Sequence, residues 1–390
     1  MNDFSMDALR EALASGTMLR IKLRLEPAGA GGLVYPPTYD QGQHIFRTAW
    51  VDGEEHEVVV LDSPQSQANR IETSLLDAHR RGAIRYPDIS IRVESPMGEE
   101  HYSVLELSHR IYDAALLLTA DGEGTPFTKT AVGQAVAGAR LERASGLYIH
   151  APVTLSLGGW DSHSGGGPLS AKIPRAVTSE IIGVDAQKAW RGATKFDPMD
   201  VRKGAGPVFK SSDHERVMEL DKQKADPKDK KEKRPSELGL GSVPNLEERG
   251  ASIRYALQNS IVSLSAVRRL RFETDDGGYE DARDAAGQAA VVALSLYGLL
   301  RQMDSGYFLR SGCDLIPTAE PQLEVIGRTL ADTTRYAIDA ATCGEVLDRA
   351  LEAAAVQGLA WRDSILELSA DERLATLVER SRLASQAEQE

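Results

Sequence analysis

MLRIKLRLEP, residues 18–27, alternates without a break. Leu19, Ile21, Leu23 and Leu25 fall on one side, and Arg20, Lys22 and Arg24 on the other. A period of two over this length predicts a strand with one buried face and one basic, open face. Upstream, residues 3–15 read as a short amphipathic helix with Phe4, Leu9 and Leu13 to one side. Downstream, GAGGLVYPPTYDQG is a Gly/Pro loop, and HIFRTAWV and HEVVVL are two further strands flanking the turn DGEE. The stretch LDSPQSQANRIE, 61–72, then opens a helix, with Ser63 as N-cap and Pro64 at the first helical position. Ala68, Ile71 and Leu75 face the core of that helix, while Gln65, Asn69 and Glu72 lie along another face.

Further on, SVLELSHRIYDAALLLTA, 103–120, predicts a second buried helix, and LYIHAPVTLSLGGW, 147–160, a strand running into a glycine-rich loop. AVTSEIIGVDA after that loop predicts a helix. From Ser211 to about Pro235 the chain is charged throughout, and too poor in apolar residues to offset its ordering entropy, so a mobile insertion is expected. A core resumes with SIRYALQNSIVSLSAVRRLRF, 252–272, and beyond Tyr279 the sequence reads as helical, including PQLEVIGRTLADTTRYAIDAATC. Strands mixed with helices, without a regular βαβ rhythm, predict an α+β architecture. The domain reading is a sheet-containing unit over 1–275 with large insertions, and a helical region over 276–390 packing beside it.

Composition limits the function. The 390 residues carry 45 Lys+Arg against 58 Asp+Glu, a net charge of −13, which disfavours non-specific nucleic-acid binding but leaves room for a local basic groove. No window holds about 18 uncharged apolar residues, so no membrane span is expected. MNDFSMDALREALASG lacks the apolar run of a signal peptide, and two cysteines, Cys313 and Cys343, are too few for a disulfide framework or a Cys-rich zinc site. A cytoplasmic protein with reduced thiols is the expectation.

For catalysis the chain offers little. GxxxxGKS/T, HExxH, CxxC and GxSxG are all absent from the sequence. GAGG at 29–32 and GGG at 165–167 lack the spacing of a dinucleotide site, and WDSHS, 160–164, crowds its polar residues into one loop rather than assembling them in space. His109 and Arg110 form either an intrahelical ion pair with Asp113 or a phosphate contact. No catalytic residue, metal or cofactor is expected.

A polar-polymer binder fits better. Lys172 and Arg175 sit between the glycine loop and the predicted helix, where free backbone N–H groups and two cations would cradle a phosphate. Trp160 either stacks on a base or anchors its loop. Lys22 and Arg24 on the basic strand, and Arg269 within VRRLRF, supply further cations.

LRLEPAGAGGLVYPPTY, LDSPQSQANRIE, SHRIYDA, GGWDS, AKIPRAVTSEIIG, FDPMDV, LSAVRRLRF and GYFLRSGCDL occur in this order between about residues 20 and 316. In this set the chain resembles the backbone subunit of type I-G (formerly I-U) CRISPR effector complexes, a Cas-seven family of the RAMP superfamily. The resemblance implies an RRM-like (ferredoxin-like) palm with helical fingers and a thumb. It also implies copies that polymerise along one CRISPR RNA, beside other subunits of the effector complex, and present the guide to target DNA. Gln65, Gln67, Asn69 and Arg70 would then donate to phosphates and 2′-hydroxyls, together with His109, Arg110, Trp160, Lys172 and Arg175. The alternative within the same superfamily is a ribonuclease that processes the guide or cuts target RNA, with Asp161 or Asp213 as its candidate acid.

Overall fold

The computed structural model describes residues 2–39, 42–96, 98–161, 172–195, 197–201, 205–213, 216–241 and 243–389. Its centre is the strand that opened the sequence, β1 (Met18–Pro27), whose Leu19, Ile21, Leu23 and Leu25 are all buried. The other main strands of the central sheet are β2 (Phe46–Val51), β3 (Glu54–Asp62), β4 (Val177–Val184), β5 (Tyr255–Ser263), β6 (Tyr307–Arg310), β7 (Cys313–Pro317), β8 (Gln322–Ile326) and β9 (Thr333–Ala337), and the two residues Asn2–Asp3 add to its edge in parallel with β9. Across the sheet the order is β9-β8-β1-β5-β4-β3-β2, with every one of these neighbours antiparallel. In register, Ile21 of β1 lies opposite Ser260 of β5 on one side and Leu323 of β8 on the other.

One face of the sheet is covered by helices. Helix α1 is Met6–Ser15, α2 is Pro64–Arg80, α3 is Asp281–Asp304 and α4 is Ala340–Val356. As the sequence predicts, Ser63 caps α2, its hydroxyl accepting from the Ser66 N–H, and Ala68, Ile71 and Leu75 are buried. Helix α3 is apolar around most of its circumference and is buried accordingly. At Gly298 of α3, an added Cβ would lie 2.9 Å from Ile71 Cγ2 of α2, so the close approach of the two helices requires glycine there. Among the described residues, the opposite face of the sheet holds a small buried apolar cluster of Val51, Val58, Val184 and Leu257.

A polar network runs through the core under α2. Gln67 is fully buried; its amide N–H donates to Asp62 Oδ2 at 2.6 Å, and its carbonyl accepts from Ser179 at 2.8 Å and Gln258 at 2.9 Å. Gln258 in turn donates to Gln302 and accepts from the Tyr307 hydroxyl. A buried amide is costly unless bonded, and this one is bonded on both sides.

Four sequence expectations fail, each for a local reason. Residues 103–120 form short 3-10 turns rather than a helix. Ser103 and Asp113 cap the first and third of these turns through their side chains, and Arg110, which opens the turn between them, has φ +54°, so local bonds outcompete a continuous helix. Residues 147–160 are helical at Ser145–His150 and Val153–Leu157 and extended only at Gly159–Trp160. AVTSEIIGVDA is strand β4; Val177, Ser179 and Ile181 are buried on the helix side, whereas Val184 joins the small cluster on the other face. Burial alternates over Val177–Ile181, but the inward positions include Ser179 and Gly183 while Ile182 sits on the other face, so the apolar period of two is lost from the sequence. Finally, 321–343 contains β8 and β9 before α4 begins, and Leu366–Ala370 pairs in parallel with Ile89–Ser95 in a second sheet. The region after residue 276 is therefore woven into both sheets rather than being a helical annex.

Strands β4 and β5 continue into a ribbon, Gln187–Lys195 paired with Val243–Ser252. Nine residues of strand amount to about 30 Å of ribbon at ~3.3 Å each. The charged insertion is carried at its far end, and among its described residues it forms a hairpin of Phe209–Lys210 with Met218–Glu219 and 3-10 turns at 222–224 and 235–238.

One half-buried base has a pH signature. His150 has its Nδ1 enclosed without a hydrogen-bond partner, and desolvation, with Arg362 nearby, lowers its pKa from 6.5 to about 4. Between these values the folded imidazole is neutral and the unfolded one charged, so unfolding takes up a proton and stability falls as the pH drops. Over this window the stability advantage of the wild type over His150→Phe is expected to shrink on acidification in chemical denaturation. A difference independent of pH would refute this.

Candidate nucleic-acid interface

The glycine loop is closed at its base by a short antiparallel ladder in which Lys172 lies opposite Trp160, and Ile173 opposite Gly159. The two glycines are required by packing. Gly158 has φ +82°, and a Cβ there would press on Ile173 O and Arg175 N at 3.1 Å; a Cβ on Gly159 would lie 2.9 Å from the Tyr112 ring. They hold Trp160 outward at 61% exposure, with Lys172 Nζ 5.9 Å from its ring centroid. The rest of that loop, residues 162–171, lies outside the described residues, with the GGG run and most of WDSHS.

The ladder forms one wall of a groove of about 520 Å³ whose lining includes Arg110, Trp160, Lys172, Arg175 and Arg269. Five of the twelve residues singled out from the sequence thus meet in one place. No acid is among the described lining residues. Arg175 precedes a strand, not a helix, so the expected helix N-terminus is absent and side chains, rather than a helix dipole, supply the positive field.

Behind the groove, Glu72 of α2 is buried and takes Arg110 as partner, with Nη2–Oε2 at 3.0 Å and Nε bonded to Oε1. This corrects the expectation of an intrahelical pair: Asp113 instead accepts from the His109 and Ala115 backbone N–H groups. Arg110 also donates to Gly158 O at 3.4 Å, tying the 3-10 turn to the glycines. Its positive φ is strained for a side chain of this size, and the fork onto Glu72 holds it. Burial pushes the Glu72 carboxyl up, while Arg110 and Arg175 pull it back. Arg175 donates to Leu157 O at 3.2 Å and Pro64 O at 3.4 Å, and burial, then Arg110, draws its guanidinium down from its usual range. Among the described lining residues the charged groups are thus four cations, and Glu72, the partner of Arg110, is buried behind them.

The remaining candidates lie elsewhere. Gln67 and Arg70 turn inward: Gln67 into the core network, and Arg70 onto Asp62 at 2.9 Å and Leu309 O at 2.8 Å. Their polarity is spent on structure and is not offered to a ligand. Gln65, Asn69 and His109 are exposed but do not line the groove. On the open face of β1, Lys22 pairs with Asp52, and Arg24 lies 4.1 Å over the Tyr255 ring with Glu26 at 3.9 Å. That face is therefore largely neutralised by its own acids.

Asp161 is buried next to the groove, and Tyr112 is raised by burial with Asp161 adding to it. Both cysteines are buried; burial pushes Cys313 up to about 11 and Cys343 higher, away from thiolate reactivity. Sequence reasoning missed Asp62, Glu72 and Arg310 as organising residues. The one available signal was an acid, Asp62, set between an apolar strand and the cap of its following helix.

A search of curated proteins returns no match to the chain. A family model described as CRISPR-associated protein GSU0053 matches residues 19–188. That segment holds β1, α2, Glu72, Arg110 and the ladder of Trp160 and Lys172. Over this stretch the chain is similar to a CRISPR-associated protein family.

Proposed function

We propose that the chain is a guide-RNA-binding backbone subunit of a type I CRISPR interference complex, one that grips the RNA backbone and leaves base pairing to read the target. The observation that carries this reading is the groove, where four cations and an exposed Trp160 stand together on a chain of net charge −13. Cations bind phosphates without reading bases, and an indole face accepts any base, so the site suits a ligand whose sequence varies.

Two features of the fold support it. Strands β8, β1, β5 and β4 have the spatial order of a split βαβ unit, with α2 between β1 and β4 in the chain and α3 between β5 and β8, in keeping with an RRM-like palm into which β2, β3, β6 and β7 are inserted. We read the ribbon that continues β4 and β5 as the thumb, and its charged tip suits contact with RNA or with a neighbouring copy. The reading assigns no catalytic residue to the chain.

Anisotropy titrations with guide RNAs of unrelated spacer sequence test it. Equal affinities whose logarithm falls linearly with log salt are expected. Affinities that follow spacer sequence, or that ignore salt, would refute the reading.

A further inference from the structure

A second cleft, of about 630 Å³, lies between the Tyr35–Pro37 loop and the turn joining β6 to β7. It brings together LRLEPAGAGGLVYPPTY and GYFLRSGCDL, two of the stretches that carry the resemblance, which lie far apart in sequence. Its walls are built rather than incidental. The Tyr35 ring sits against Gly312 and Gly250, which have φ +76° and +95°; a Cβ on Gly312 would lie 2.1 Å from the ring. His44 stands 3.0 Å from Pro37 O through Nδ1 and accepts the Gly250 N–H at 3.0 Å through Nε2. Both of its nitrogens are engaged, so it shapes the wall and is the neutral Nδ1–H tautomer.

The charged groups of the cleft are Arg249 and Arg310, and no acid is among its described lining residues. Behind it lies Asp62, fully buried and serving two guanidiniums: Arg70 at 2.9 Å and Arg310 at 3.5 Å. Gln67 and Ser66 also donate to the same carboxylate, at 2.6 and 2.7 Å. One negative charge shared by two cations leaves one positive charge over, and the more distant guanidinium, Arg310, is the one that lines the cleft. An anion in the cleft would complete this arrangement, with Arg310 as a forked donor already held in place from behind.

We propose that the cleft between Tyr35 and Arg310 binds a backbone phosphate of single-stranded RNA, as a second station separate from the Trp160 groove. The inference rests on the RNA-binding reading but not on the groove that carries it. Its test uses the full chain and a labelled guide RNA, with affinity measured over a salt series for wild type, Arg249→Gln, Lys172→Gln and the double variant. Arg249 is exposed, and thermal melting checks that its replacement leaves the fold intact. Arg310 is unsuitable for the test because it also supports Asp62. Losing one phosphate contact should make the plot of log affinity against log salt shallower by about 0.7 in each single variant, and by about 1.4 in the double. A wild-type slope for Arg249→Gln beside a reduced slope for Lys172→Gln would overturn the cleft and leave the groove standing. The reverse pattern would overturn the groove and support the cleft. No RNA binding by the wild type would overturn both.

Discussion

Asp62→Ala is expected to destabilise the fold by about 3 kcal/mol, at the lower end of the ~3–5 kcal/mol for removing one partner of a buried ion pair. The carboxylate is fully buried and accepts from Ser66, Gln67 and Arg70, with Arg310 at 3.5 Å. Its removal strands the Gln67 amide and leaves two guanidiniums facing each other across a cavity. The guanidiniums are only 30% and 27% exposed, enough for water to relieve part of the cost but not all of it. Asp62→Asn keeps an acceptor of the same shape and should lose less. Chemical denaturation of both variants checks the ranking; a loss below about 1 kcal/mol for Asp62→Ala would place it among ordinary surface changes and refute its role as a hub.

The second large effect is on binding. Lys172→Glu with Arg269→Glu should weaken guide RNA binding by at least about 100-fold and equally for all spacers, because charge-assisted contacts are worth about 1.5–3 kcal/mol each and carry no base information. These two are chosen over Arg175, which is tied to Leu157 O and Pro64 O, so that its loss would confound binding with folding. The salt dependence should become shallower by about 1.4. Unchanged affinity with an intact fold would exclude the groove as the RNA site.

The fold was most legible where one physical demand dominated. β1 could be read residue by residue because only one of its faces is buried, and α2 because Ser63, Pro64 and its apolar spacing agree. β4 was misread because its inward positions include the polar Ser179 and the small Gly183, so the alternation seen in burial is not seen in residue type; 103–120 because the apolar spacing of Val104, Leu105, Ile111 and Leu116 imitates a helix that Ser103, Arg110 and Asp113 break up. β8 and β9 were hidden by their position among helical segments, since β8 pairs with β1 some 300 residues away in sequence and β9 pairs onto β8.

The site divides in the same way. Trp160, Lys172, Arg175 and Arg269 were found as residue types near glycine loops or in basic runs, and the groove unites them with Arg110. Gln67 and Arg70 were misassigned because a polar run on a helix looks the same whether it faces solvent or a buried carboxylate. What sequence lacks there is the position of Asp62, fully enclosed at the end of β3.

The most direct measurement is to purify the chain from cells that also express a CRISPR array and to sequence the RNA that accompanies it. Repeat–spacer guide of uniform length, lost in high salt, is the expected result. Protein that emerges free of RNA even at low salt would contradict a backbone role.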